Sequence, residues 1–239
     1  MGMAFAMALT SSRLVTSGFY RVHLYVLLGA NVLVTMIAWT YPDQFRLWPP
    51  LVIAALCYLG AAFWLYEKSR TGTVILYAVA GLSMFAAAVA TAHPPEAGPL
   101  QTTLILLDIL SSGLLLGFTL TAMFLGHWYL NTPTMELVPL RRLVMMLMVA
   151  ILARAALCAL GLGLVAWHDK LPQGGFVFFI ALRWLSGLVG TLILAVMTWE
   201  TLKIPNTQSA TGILYVAVIC VFLGELTAQL LSVQTMFPV

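Results

Sequence analysis

Charge is what this sequence has least of. Only 8% of its 239 residues are Asp, Glu, Lys or Arg, against about 25% in an average soluble domain. So few charges cannot cover a water-exposed surface, which excludes a soluble globular monomer. A disordered chain, a coiled coil, a secreted disulfide scaffold and a nucleic-acid binder are excluded with it. Cysteine is scarce too: Cys57, Cys158 and Cys220 lie inside apolar runs with no CxxC spacing. They read as small buried hydrophobes rather than a disulfide or metal set. No P-loop, HExxH, GxSxG or CxxCH occurs, so an ATPase, zinc protease, serine hydrolase or c-type cytochrome is not indicated. The last apolar run holds no lysine, which argues against a retinal-linked protein.

What is abundant is apolar sequence. Hydrophobic residues make up 62% of the chain, and the mean hydropathy is +1.01. The runs are continuous, as in spanning helices, and do not alternate in the short segments of a β-barrel. A spanning helix needs roughly 20 apolar residues. Seven windows qualify: 22–41, 47–66, 72–92, 100–126, 143–167, 175–199 and 211–232. Short polar breaks separate them, among them Tyr41-Pro42-Asp43, Glu67-Lys68-Ser69-Arg70, His93-Pro94-Pro95 and His168-Asp169-Lys170. The expected fold is therefore all-α, a polytopic membrane bundle of seven transmembrane helices spanning 22–232. Residues 1–21 form an apolar segment expected at the membrane surface or against a partner, and 233–239 a short tail.

Basic residues set the expected orientation. One side of the seven-span map holds Arg13, Arg21, Lys68, Arg70, Arg141, Arg142 and Lys203, and the other only Arg46 and Lys170. The positive-inside rule then places the N-terminus in the cytoplasm and the C-terminus outside. Tryptophans fall at the window boundaries in agreement: Trp39, Trp48 and Trp167 outside, Trp64, Trp128 and Trp199 inside. The expected location is the cell's inner (cytoplasmic) membrane, with the lipid bilayer and other membrane or redox subunits as partners, and no nucleic acid.

Four charges remain that loops do not account for: Asp108, Arg154, Arg183 and Glu225 lie inside windows. An ionised side chain at mid-bilayer costs about 2.5–3.5 kcal/mol on insertion scales, so such groups face protein and find partners. Asp108, Arg183 and Glu225 each lie on the order of 10 Å below the outer ends of their helices. They are expected to form one cluster, with Arg183 paired to Glu225, Asp108 or both. Ser112 and Gln229 share faces with the carboxylates, while Arg154 and Asn31 are placed deeper. A quinone head group suits this chemistry, needing hydrogen-bond donors and a carboxylate that exchanges protons. His23 and His127, near the inner ends of the first and fourth spans, form a weaker candidate pair for a b-type haem.

The segment Phe222-Leu-Gly-Glu225-Leu is loosely similar to a Gly-Glu step in the quinol-interacting anchors of polysulfide- and dimethyl-sulfoxide-type reductases. The match is five residues long, and those anchors usually have more spans, so it assigns no family. The functional expectation is a membrane subunit of a respiratory or photosynthetic electron-transfer complex. It anchors redox partners, contacts quinone near the outer face and has no independent activity. A proton-coupled transporter and a purely structural or assembly subunit are the alternatives.

Overall fold

A computed structural model describes residues 1–42, 45–90, 98–132, 134–168 and 175–232. The loop residues Asp43, His93, Asp169 and Lys170 and the tail 233–239 lie outside the described residues. All regular structure among the described residues is helical, and seven helices are long and apolar enough to cross a membrane. The chain is a multi-pass membrane protein. Its burial pattern agrees: large apolar side chains such as Leu33, Met36 and Val74 are more than half exposed, as a lipid-facing surface permits and a water-facing one does not.

Two compact units divide the chain, Met1–Ala92 and His93–Val239. The first holds α1 (Gly2–Leu9), α2 (Ser17–Thr40), α3 (Trp48–Leu65) and α4 (Ser69–Ala90). Pro49 and Pro50 sit in the first turn of α3, where the missing N–H groups have no helical partner to lose. The N-terminal segment, expected at the surface or on a partner, packs chiefly against α4 of its own unit. Ala4, Ala6 and Met7 are fully buried, and Phe5 meets Tyr77 edge-on at 6.3 Å. The chain then turns, with the Tyr20 hydroxyl donating to the Thr10 carbonyl at 2.9 Å.

The Tyr20 ring stacks on Trp64 at 4.0 Å. Trp64, expected in the aromatic belt, is instead buried, because Gly72 on α4 leaves room for its indole. A Cβ on Gly72 would lie 2.5 Å from the Trp64 Nε1.

The second unit holds α5 (Pro99–Asn131), α6 (Val138–His168), and a continuous span built from α7 (Gly175–Leu182), a π-helical segment (Arg183–Gly190) and α8 (Thr191–Lys203). It closes with α9 (Thr207–Ser232). Both α5 and α6 outrun their expected windows at the end where they meet. The Gly126-His127-Trp128-Tyr129-Leu130 stretch is helical, and the Tyr129 hydroxyl donates across the connection to the Glu136 carbonyl. The Asn206 Oδ1 accepts from the Ser209 N–H at 3.0 Å and so caps the first turn of α9. Arg141, assigned from sequence only to orientation, also donates to the Leu202 carbonyl at 2.7 Å. A cation there offsets the unpaired carbonyls at the end of α8.

In this unit Gly187 and Gly224 bring two backbones together. A Cβ on Gly187 would lie 2.6 Å from the Gly224 Cα, so the π segment and α9 touch through their main chains.

Overpacking of this kind typically costs 1–3 kcal/mol. Gly72→Ala is therefore expected to lower unfolding stability by about 1–3 kcal/mol, read by denaturant titration in detergent micelles. Gly81→Ala, with nothing within 4 Å of the added Cβ, should leave stability unchanged or raise it by up to about 1 kcal/mol through helix propensity. Equal losses in the two variants would show that the Trp64 contact does not matter.

Candidate functional site: a buried charge cluster in the second unit

A guanidinium cannot be left unpaired in an apolar interior without a cost of several kcal/mol. In the second unit the Arg154 side chain is 1% exposed, and five hydrogen bonds surround it. Its Nε donates to Glu225 Oε1 at 3.1 Å and its Nη2 to Glu225 Oε2 at 2.9 Å, a two-pronged contact that fixes both planes. Its Nη1 donates to Asp108 Oδ1 at 2.5 Å, to the Asp108 carbonyl at 3.2 Å and to Ser111 Oγ at 3.0 Å. Ser112 Oγ completes the shell by donating to Glu225 Oε2 at 2.5 Å.

The cluster joins α5, α6 and α9, and three of its expected members, Asp108, Ser112 and Glu225, are brought together. The cation between them is Arg154, however, and not Arg183. Arg154 also lies less deep than its sequence position suggested. Measured from the end shared by the α5–α6 and α8–α9 connections, Arg154 is 16 residues from Val138 and Glu225 is 18 residues from Thr207. At 1.5 Å per residue the two are level within about 3 Å. Depth reckoned from the opposite helix ends misplaces Arg154, because α6 is 31 residues long and α9 is 26.

The two carboxylates are not equivalent. Glu225 accepts three bonds, and its side chain is 10% exposed. Asp108 offers one oxygen to Arg154, and its side chain is 32% exposed. Glu225 is thus the more fully bonded of the two, whereas Asp108 Oδ2 makes no hydrogen bond among the described residues. Beside it an apolar groove of about 400 Å³ runs between α5 and α6, lined by Leu107, Leu110, Ser111, Leu114, Ala153 and Leu157 among others. Leu107 and Leu110 are exposed at its rim, so it opens to the surface of the unit. Ser111 belongs both to the groove and to the Arg154 shell.

Arg183 lies at the start of the π segment, 2% exposed. Its Nη2 donates to Cys158 Sγ at 2.7 Å, while its Nε has no acceptor. The expected Gln229 is exposed and makes no side-chain bond to the cluster. Asn31 belongs to the first unit, where its Nδ2 donates to the Leu27 carbonyl of its own helix at 2.8 Å. The two histidines also fall in different units. His23 is buried, with Nδ1 2.6 Å from the Phe19 carbonyl, and His127 is 3.3 Å from the Tyr215 hydroxyl. Among the described residues, no group of three or more His, Cys, Asp or Glu converges as a metal site would.

Sequence reading missed Ser111 as a ligand of the arginine and Cys158 as the neighbour of Arg183. Spacing held a signal for both: Ser111 is three residues from Asp108, and Cys158 four from Arg154, each on its partner's helix face. No signal foretold the π segment.

The class that fold and site define is a multi-pass helical membrane protein with an ion-pair network inside its second unit. No family model, curated protein or solved structure matches the chain.

Removing Glu225 strips the arginine of its two-pronged partner, whereas removing Asp108 leaves that contact intact. Glu225→Leu is expected to cost about 3–5 kcal/mol, the range for breaking a buried pair. Asp108→Leu should cost about 1–2 kcal/mol, discounted for its partial exposure. Unfolding titrations of both variants in micelles check the order, and a larger loss in Asp108→Leu would contradict the assigned roles.

Proposed function

We propose that this protein is an integral membrane subunit of an electron-transfer complex and binds a quinone at the α5–α6 groove. The observation that supports this reading is the junction at Ser111 of an apolar groove and a charged network. An isoprenoid tail asks only for apolar walls, and the groove offers leucine and alanine. A quinone ring asks for hydrogen-bond partners and a group that takes or gives a proton. Ser111, on the groove wall, and Asp108, its neighbour in the Arg154 network one turn away, would supply these. A pocket that is mostly apolar, with a few convergent polar groups, is the usual form of such a site.

In this reading the chain binds and orients the ring and exchanges one proton at Asp108. When a quinol is oxidised to quinone it gives up two protons and two electrons: one hydroxyl proton passes to Asp108, the other to water at the outer face, and both electrons to a redox group carried by a partner subunit. Arg154 holds the Asp108 carboxylate in place. The distribution of basic residues supports a cytoplasmic N-terminus in the inner membrane, which puts Asp108 nearer the outer face.

The test is purification from the native membrane, followed by quinone extraction and a reduced-minus-oxidised spectrum. Bound quinone and co-purifying redox subunits are expected. Ala153→Phe, which fills the groove, should lower quinone binding at least tenfold, about 1.4 kcal/mol. Asp108→Asn should retain the quinone but slow its reaction with the complex. Absence of quinone and of redox partners from the wild-type preparation would refute the reading.

A further inference from the structure

The second unit carries two buried arginines and two buried or half-buried acids, and their formal charges cancel. No external anion is required to neutralise them. The distribution is nonetheless uneven: both acids sit on Arg154, while Arg183 has only a thiol. The Arg183 edge formed by Nε and Nη2 is the same edge with which Arg154 grips Glu225. On Arg183 that edge has one donor on Cys158 and the other without an acceptor. Buried unsatisfied donors on charged groups are rare, and each asks for a reason.

Glu225 is bonded to Arg154 and sits on the helix that packs against the π segment carrying Arg183. It follows Gly224, whose backbone rests on Gly187, four residues from Arg183 in the π segment. Counted from Lys203, Arg183 is 20 residues away, against 18 from Thr207 to Glu225, so the two are level within about 3 Å. Cys158, which marks the Arg183 guanidinium, is one turn of α6 from Arg154, where i and i+4 side chains stand about 5–6 Å apart. A π-helical stretch is itself a place where a helix changes register, and such stretches are frequent at functional sites.

We infer that Glu225 has two cationic seats, the one on Arg154 seen here and a second on the Arg183 edge beside Cys158. The exchange keeps the total charge constant. With Glu225 on Arg154, Arg183 falls back on the thiol. With Glu225 on Arg183, Arg154 keeps Asp108 and Ser111 through Nη1 and is left with an open Nε/Nη2 edge. The inference stands on charge geometry alone and does not require that quinone be the ligand.

The test uses the full chain in quinone-free lipid nanodiscs, so its outcome is separate from that of quinone extraction. Infrared spectra resolve the S–H stretch of Cys158, assigned by its loss in Cys158→Ser, on a timescale faster than any side-chain exchange. Two components are expected in the wild-type protein, one for each seat, collapsing to one in Glu225→Gln. A single component unmoved by Glu225→Gln overturns the inference. Independently, Glu225 should remain an ionised carboxylate in Arg154→Gln, because Arg183 takes it up. It should become a protonated acid in Arg154→Gln/Arg183→Gln. A protonated acid in Arg154→Gln alone means that there is no second seat.

Discussion

The second unit is arranged around the need to keep one guanidinium charged inside an apolar medium. Arg154 has five donor contacts, and two other stretches of chain answer them: the Asp108–Ser111 turn of α5 and Glu225 of α9. Each of these helices is held at a height and rotation that the arginine dictates. Apolar packing against lipid gives little such direction, since lipid tails and leucine side chains are equally apolar. An ion-pair network of this kind adds specificity of register more surely than it adds stability.

Much of this was legible from sequence because the membrane makes charge expensive. Asp108, Arg154, Arg183 and Glu225 stand out by being where lipid disfavours them, and three of the four meet. Which arginine would lie between the acids was not legible. Windows of hydropathy fix a helix only to within several residues at either end, and α6 begins at Val138 rather than near 143. That error is enough to make a level arginine look too deep for the acids. Trp64 was misread for a related reason: its position along the chain is interfacial, but Gly72 on the next helix opens a slot that takes the indole inward. A slot between two helices is a property of the pair, invisible in either sequence window.

Glycine has a second consequence in the other unit. The contact of Gly187 with Gly224 brings the π segment and α9 together without side chains between them. This packs the segments that carry Glu225 and Arg183 against each other, with no hydrogen bond between those two side chains among the described residues. Four residues before Gly187, the Arg183 Nε is without an acceptor. Tight backbone packing and incomplete polar satisfaction are here two sides of one arrangement.

The placement of α1 bears on the order in which the protein is built. Its apolar side chains are covered mainly by α4, whose first residue, Ser69, follows Leu9 by 60 positions. At a synthesis rate of ~5–20 residues per second, α1 leaves the ribosome several seconds before its packing surface exists. Through that interval an eight-residue apolar helix, too short to cross a bilayer alone, has to be sheltered by the insertion machinery or the lipid interface. Its docking is a late event, and completes the first unit only after α4 has been laid down.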